Sequence, residues 1–374
     1  MISNQFGKFD EQFKCIGIMN GTSLDGVDFV LVEINKKELS CRYLAISSFG
    51  FSKKLKARLA QAAMHKVYVD ELALLHHDLG RYYAECFKKL GPEFKDVLLI
   101  GLHGQTVFHR GGVATLQIGE PSYLSAVAQA IVVSDFRAAD IALGGQGAPI
   151  ATFFHSAVFG RAGQTISVHN LGGISNLSLI TDGKLLQGFD TGPANMLIDM
   201  AVRIHTKEKK QFDSGGRLAK KGKSDTFLVK KMLSHRYFKK RPPKSCGREE
   251  FGEIFYNVHK KNLHKLKIED RLATLTDFVA QSIALAYKNH CAEVPAEIIF
   301  CGGGARNEFL IGQIGKQLPN VVVKTTADYG WPVESVEGAA FALLAAARAL
   351  SLNSNLPEST GASRATSLGK VTRV

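Results

Sequence analysis

"IGIMNGTSLDGVDFVLVEI", residues 16–34, sets the reading of the whole chain. Two apolar runs, 16–19 and 27–34, flank a segment that holds Gly21, Thr22, Ser23, Asp25 and Gly26. This is the pattern of two strands joined by a turn of small and hydroxyl-bearing residues. Glycine permits positive φ and close backbone approach, so the turn can cradle a phosphate. It can equally be a plain hairpin, and alone it leaves both readings open.

The layout occurs twice. "ISVHNLGGISNLSLI" (166–180) again runs from an apolar strand through Asn170, Gly172 and Gly173 into a second apolar strand. A hairpin built twice suggests two related halves. Two such hairpins facing one ligand would suit a polyphosphate gripped from both sides.

Working outward, strands are expected at 15–19, 27–34, 41–49, 97–102, 115–118, 131–133, 166–170, 175–180, 185–189, 297–301 and 320–324. Helices are expected near 52–64, 70–90, 122–129, 150–160, 194–205, 225–234, 271–289, 306–317 and 335–350. The alternation predicts an α/β protein. A length of 374 residues exceeds what one core usually serves. The predicted division is 1–142 with 354–374, and 143–353, with the stretch after Leu350 returning over the first domain.

Composition excludes several classes. The 45% hydrophobic content is that of a globular protein. No apolar run reaches about 18 residues, so no membrane span is expected. The first residues show no cleavable leader, and a cytoplasmic protein is expected. Six scattered cysteines without a C-x-x-C pair argue against zinc and against a disulfide framework. The net charge of +13 is concentrated between residues 207 and 267. No zinc-finger, RRM or KH signature accompanies it, so a solvated basic face is favoured over a nucleic-acid site.

The common nucleotide fingerprints, G-x-x-x-x-G-K-[ST] and G-x-G-x-x-G after a strand, are absent. "CGGGARNEF" (301–309) follows an apolar strand, and its glycines either admit an adenosine face or make a tight turn. "LLQGFDTGPANMLIDMAV" (185–202) puts Asp190 at a strand end before a helix that Pro193 would open. A helix N-terminus favours the carboxylate anion, which would be ionised and able to accept a proton. Thr191 can cap the helix and leave Asp190 free. "GLHGQTVFHR" (101–110) presents His103 and Gln105, and "SDFRAADIALGGQGAP" (134–149) presents Arg137. "ADYGWPVESVEGAAFALLA" (327–345) carries Glu334 and Glu337 at a helix start. Each has a plain structural reading, but with two phosphate loops they suggest a hydroxyl-rich ligand of sugar size.

In order along the chain, "GTSLDGVD" (21–28), "HGQT" (103–106), "DFRAADIALGGQGAP" (135–149), "NLGGISN" (170–176), "GFDTGPANMLID" (188–199), "PPKSCGRE" (242–249), "CGGGARN" (301–307) and "NLPESTGASR" (355–364) resemble the anhydro-N-acetylmuramic acid kinases. These belong to the actin, hexokinase and heat-shock ATPase superfamily. The resemblance implies two RNase H-like (actin/hexokinase-type) domains with an active-site cleft between them. It implies ATP and Mg²⁺, with ATP along Gly21, Thr22, Ser23, Leu24, Asp25, Gly26, Val27 and Asp28, at Gly172 and Gly173, and at Gly302, Gly303 and Gly304. Asp190 would be the catalytic base, and Arg137, Glu337, His103 and Gln105 would bind the sugar. The substrate would be 1,6-anhydro-N-acetylmuramic acid, hydrolysed and phosphorylated during peptidoglycan recycling, and the protein would be a homodimer. Asn20 and Asn170 stand where the superfamily often has aspartate, which leaves the metal ligands open. The competing readings are another sugar kinase of this fold and an ATP-gated binding protein.

Overall fold

The computed structural model describes residues 10–21 and 24–374. The chain divides into two compact units, residues 1–158 with 335–374, and residues 159–334.

The first unit opens with β1 (Gln12–Met19), β2 (Gly26–Asn35) and β3 (Ser40–Gly50), an antiparallel meander. Helices α1 (Lys53–Ala63) and α2 (Val69–Lys88) lead to β4 (Leu99–Leu102). A separate hairpin, β5 (Gln105–Arg110) with β6 (Ala114–Ile118), precedes α3 (Pro121–Ala128) and β7 (Ile131–Ser134). Then come α4 (Ala138–Ala142) and α5 (Thr152–Phe159). In the second unit β8 (Thr165–Leu171), β9 (Ile174–Thr181) and β10 (Lys184–Pro193) form another antiparallel meander. Five helices follow: α6 (Asn195–Thr206), α7 (Thr226–Leu233), α8 (Arg248–Phe251), α9 (Glu253–Leu263) and α10 (Ile268–His290). The unit ends with β11 (Glu297–Cys301), α11 (Glu308–Gln317) and β12 (Val322–Thr325). The chain returns to the first unit as α12 (Ser335–Ala349), α13 (Pro357–Thr360) and β13 (Lys370–Thr372).

The two sheets share one plan. The second is ordered β10-β9-β8-β11-β12 and the first β3-β2-β1-β4-β7, extended by β13. In both, the first three strands are antiparallel and the next two run parallel to the first. This is the RNase H-like arrangement, made twice, and the paired hairpins of the sequence occupy equivalent places in it.

Close packing holds α12 on the first sheet. A Cβ at Gly17 of β1 would overlap the carbonyl of Gly338, and one at Gly101 of β4 the carbonyl of Phe341. The helix is rich in alanine and buried at nearly every position, as a helix apolar on all sides must be. In the second unit Leu272, Leu275, Phe278, Val279 and Ile283 of α10 are all buried, the face expected from their spacing.

Two expectations change. The division falls at 158/159 and 334/335, not at 142/143 and 353/354, because α12 is bound to the first sheet through these glycine contacts. The tail does return to the first unit, where β13 pairs antiparallel with β7. Elements β5, β13, α4, α8, α9 and α13 had no counterpart in the sequence reading, most being too short for a periodic signal. Helix α9 is long enough: Phe255, Tyr256, His259 and Leu263 recur at helical spacing on its buried face. Among the described residues no helix is long and apolar enough to cross a membrane, and all six cysteines are free.

Candidate active site

In the first unit, polar side chains collect where parallel strands end, the usual place for a ligand in an open α/β sheet. Asn20 follows β1 and His103 follows β4, whose N–H donates to Ile18 O at 3.0 Å. Arg137 lies just beyond β7. Its Nη1 donates to Gly147 O at 2.7 Å and its Nη2 to His103 Nε2 at 3.0 Å. A guanidinium only donates, so His103 Nε2 accepts and the proton sits on Nδ1. Burial, then the Arg137 cation, holds the imidazole well below its usual range. Burial lowers Arg137 to about 10, opposed by the Glu337 carboxylate in the first turn of α12, so Arg137 stays charged at neutral pH. The His103 ring also lies 4.5 Å from that of Phe341 on α12. Four expected sugar residues, Arg137, His103, Gln105 and Glu337, thus belong to one unit. Four buried atoms here keep unused hydrogen-bonding capacity: Asn20 Nδ2, His103 Nδ1, Gln105 Oε1 and Arg137 Nε. Asn20 and Gln105 are 2% and 1% exposed, and such groups are normally satisfied.

Asp140 organises the loop behind Arg137. It is fully buried and accepts from Thr360 Oγ1 at 2.6 Å, Asn355 Nδ2 at 3.0 Å and Gly147 N–H at 2.8 Å. Gln146 N–H also donates to Thr360 O at 2.8 Å. The motifs at 135–149 and 355–364 are therefore one assembly that fixes the carbonyl receiving Arg137.

The first hairpin turn is only partly described, since Thr22 and Ser23 lie outside the described residues. Leu24 is buried with φ of 57°, its N–H donating to Gly21 O at 3.3 Å. Asp25 forms an exposed ion pair with Lys56 at 2.7 Å. Gly26, Val27 and Asp28 belong to β2 and not to the turn. A Cβ at Gly26 would overlap Phe49 O, Val27 is core, and Asp28 accepts from Ser48 Oγ.

In the second unit the other two glycine stretches come together. Gly302 has φ of +77°, and a Cβ there would overlap Asn170 Oδ1. At Gly304 a Cβ would overlap Asn195 Nδ2, while Gly303 faces open space. Two of the three glycines thus serve close packing against the hairpin turn, and Gly303 is the open one. The carbonyls of that turn receive the start of α6: Gly173 O accepts from Ala194 and Met196 N–H at 2.9 and 3.2 Å, and Gly172 O from Asn195 Nδ2 at 2.9 Å.

This changes the picture of Asp190. It lies inside β10, and the α6 N-terminus is spent on Gly172 and Gly173. Thr191 does not cap α6 but donates to Ser175 Oγ at 2.8 Å. The expected helix stabilisation of the anion is replaced by desolvation. Burial pushes the Asp190 carboxyl up to about 7, with a further push from Glu249. The Cys246 N–H, 2.9 Å from Oδ2, and the Lys244 ammonium pull the other way. A carboxyl that titrates near neutrality can take a proton and release it again.

A family model described as anhydro-N-acetylmuramic acid kinase matches residues 13–374. The chain belongs to the anhydro-N-acetylmuramic acid kinase family. Relatives carrying that name include one from Shewanella loihica, 39% identical over 95% of this chain and 97% of its own length. One from Trichormus variabilis is 37% identical over 96% of each. One from Caldanaerobacter subterraneus is 33% identical over 96% of this chain and 97% of its own. Among solved structures, a ROK family glucokinase from Streptomyces griseus in complex with glucose and AMPPNP aligns at 11% identity over 89% of this chain and 99% of its own. Its TM-score of 0.38 is too low to add to the assignment.

In this member of the kinase family, no group of three or more His, Cys, Asp or Glu that could hold a metal occurs among the described residues. The sequence reading missed Asp140 as an organiser and Tyr237, Lys244 and Cys246 as neighbours of Asp190. The last two lie in the 242–249 motif, whose order was visible but whose partner was not.

Proposed function

We propose that the protein hydrolyses the 1,6-anhydro bond of 1,6-anhydro-N-acetylmuramic acid and phosphorylates O6, yielding N-acetylmuramic acid 6-phosphate and ADP in peptidoglycan recycling. The observation that carries this reading is the Asp190 carboxyl, lifted to about 7 and held by the Cys246 N–H, in a chain of this kinase family. Asp190 takes one proton from water, the water oxygen bonds to C1, and the C1–O6 bond breaks with its electron pair going to O6. O6 then accepts the γ-phosphoryl group of ATP. Arg137, His103, Gln105 and Glu337 hold the sugar; the unpaired Arg137 Nε, Gln105 Oε1 and Asn20 Nδ2 suit its hydroxyl and acid oxygens. The turns at Gly21, at Gly172 and Gly173, and at Gly302 to Gly304 take the nucleotide. Magnesium would arrive with ATP and neutralise its phosphates. A homodimer in the cytoplasm belongs to the same proposal.

The test is mass spectrometry of the sugar after incubation with MgATP, wild type beside Asp190→Asn. The expected result is the gain of one water and one phosphoryl group, abolished by the substitution. Phosphorylation with the anhydro ring intact would make the protein an ordinary sugar kinase, and an active Asp190→Asn variant would remove the base.

A further inference from the structure

Residues 237–246 meet Asp190 at its backbone and at its side chain. Strand β10 is an edge of its sheet, and a register shift separates Asp190 from Gly192 in its pairing with β9. An edge strand at a bulge has backbone groups to satisfy. Here one segment satisfies them. The Tyr237 hydroxyl donates to Asp190 O at 2.7 Å, Asp190 N–H donates to Lys244 O at 3.1 Å, and Cys246 N–H donates to the carboxyl oxygen. Lys244 Nζ lies 4.7 Å from the centre of the Tyr237 ring and 5.7 Å from that of Phe189. The segment is anchored in turn: Tyr237 is fully buried, and Phe238 packs against Phe251 and Phe278.

We propose that Tyr237, Lys244 and Cys246 form a positioning clamp on Asp190, in which the Lys244 ammonium favours the ionised carboxylate without touching substrate. The proposal rests on the reading of Asp190 as the base. In it the 242–249 motif fixes the carboxylate on an otherwise free strand edge and sets its charge. The two aromatic faces hold the ammonium in place. Burial lowers Lys244 to about 8, so it is cationic across the acidic limb, where a cation near a carboxylate lowers its proton affinity. The charged and titratable groups that act on Asp190 are Lys244, the Glu249 carboxylate, which opposes it, the Cys246 thiol and the Tyr237 phenol.

The full chain is assayed from pH 5 to 9 as wild type, Lys244→Met, Lys244→Arg, Tyr237→Phe and Asp190→Asn. Loss of the ammonium should move the acidic limb of kcat/KM upward by about one pH unit, and Lys244→Arg should restore it. Tyr237→Phe should lower kcat about tenfold, with the KM for ATP and the position of the limb unchanged. A Lys244→Met limb that coincides with wild type, beside an inactive Asp190→Asn, overturns the clamp and leaves the base standing. An active Asp190→Asn instead removes the base reading itself. If Lys244→Met does not fold, Tyr237→Phe decides, and wild-type kcat there overturns the proposal.

Discussion

At Asp190 the side chain gives up most of its water and receives one backbone N–H in return. The unfolded chain releases this proton near the ordinary carboxyl value, whereas the folded chain keeps it until about pH 7. Between those values the folded state binds more protons, so this group lowers stability as pH rises; below both, the penalty vanishes. Asp190→Asn accepts the Cys246 N–H without the charge. It should therefore abolish turnover and yet be more stable than wild type at pH 8, by a few kcal/mol at most, with the gap closing at pH 4. Urea unfolding at the two pH values measures this, and equal stability at both contradicts it. The sequence named Asp190 but misjudged what acts on its charge. The mistake was to treat the α6 N-terminus as free, when the carbonyls of Gly172 and Gly173 already occupy it.

Elements were legible where their period was long. The two meanders, α2 and α10 follow from alternation and helical spacing. The glycines were harder, because a glycine in a sequence does not say what it approaches. Gly17 and Gly101 read as ordinary strand residues, yet they let α12 lie on β1 and β4 and bring Glu337 to Arg137. A methyl group at Gly101 meets backbone, which cannot rotate away. Gly101→Ala should cost about 3 kcal/mol or more, seen as a lower urea midpoint. A midpoint equal to wild type would mean that α12 can shift without penalty. Strand β5 was missed for another reason: its residues were read as presenting polar contacts after a strand, and Gln105 is buried all the same.

Across the molecule, the repeated hairpin correctly announced two halves, and both sheets carry the same strand order. Where the chain crosses between the units was not visible, because the C-terminal segment joins the first unit through contacts far away in sequence. Asp140 is the centre of that junction. Thr360→Val removes a donor from a fully buried carboxylate, which should cost about 2 kcal/mol. It should also raise the KM for the sugar, because Gly147 positions Arg137. Unchanged stability and KM would show that Asn355 and Gly147 suffice. Of the basic excess between residues 207 and 267, Lys244 is the residue whose charge reaches Asp190.

The central claim is that Asp190 works as a base at the edge of its titration. The pH dependence of kcat/KM for the wild-type enzyme, with saturating MgATP and the anhydro sugar varied, addresses it most directly, because this ratio reports the ionisation of the enzyme before the sugar binds. Activity should rise with pH along a limb centred near 7, where burial places the Asp190 carboxyl, and Asp190→Asn should show no such limb at any pH. A rate already at its plateau at pH 5 would contradict the account, because the carboxyl would then be an ordinary exposed acid, not the half-buried base described here.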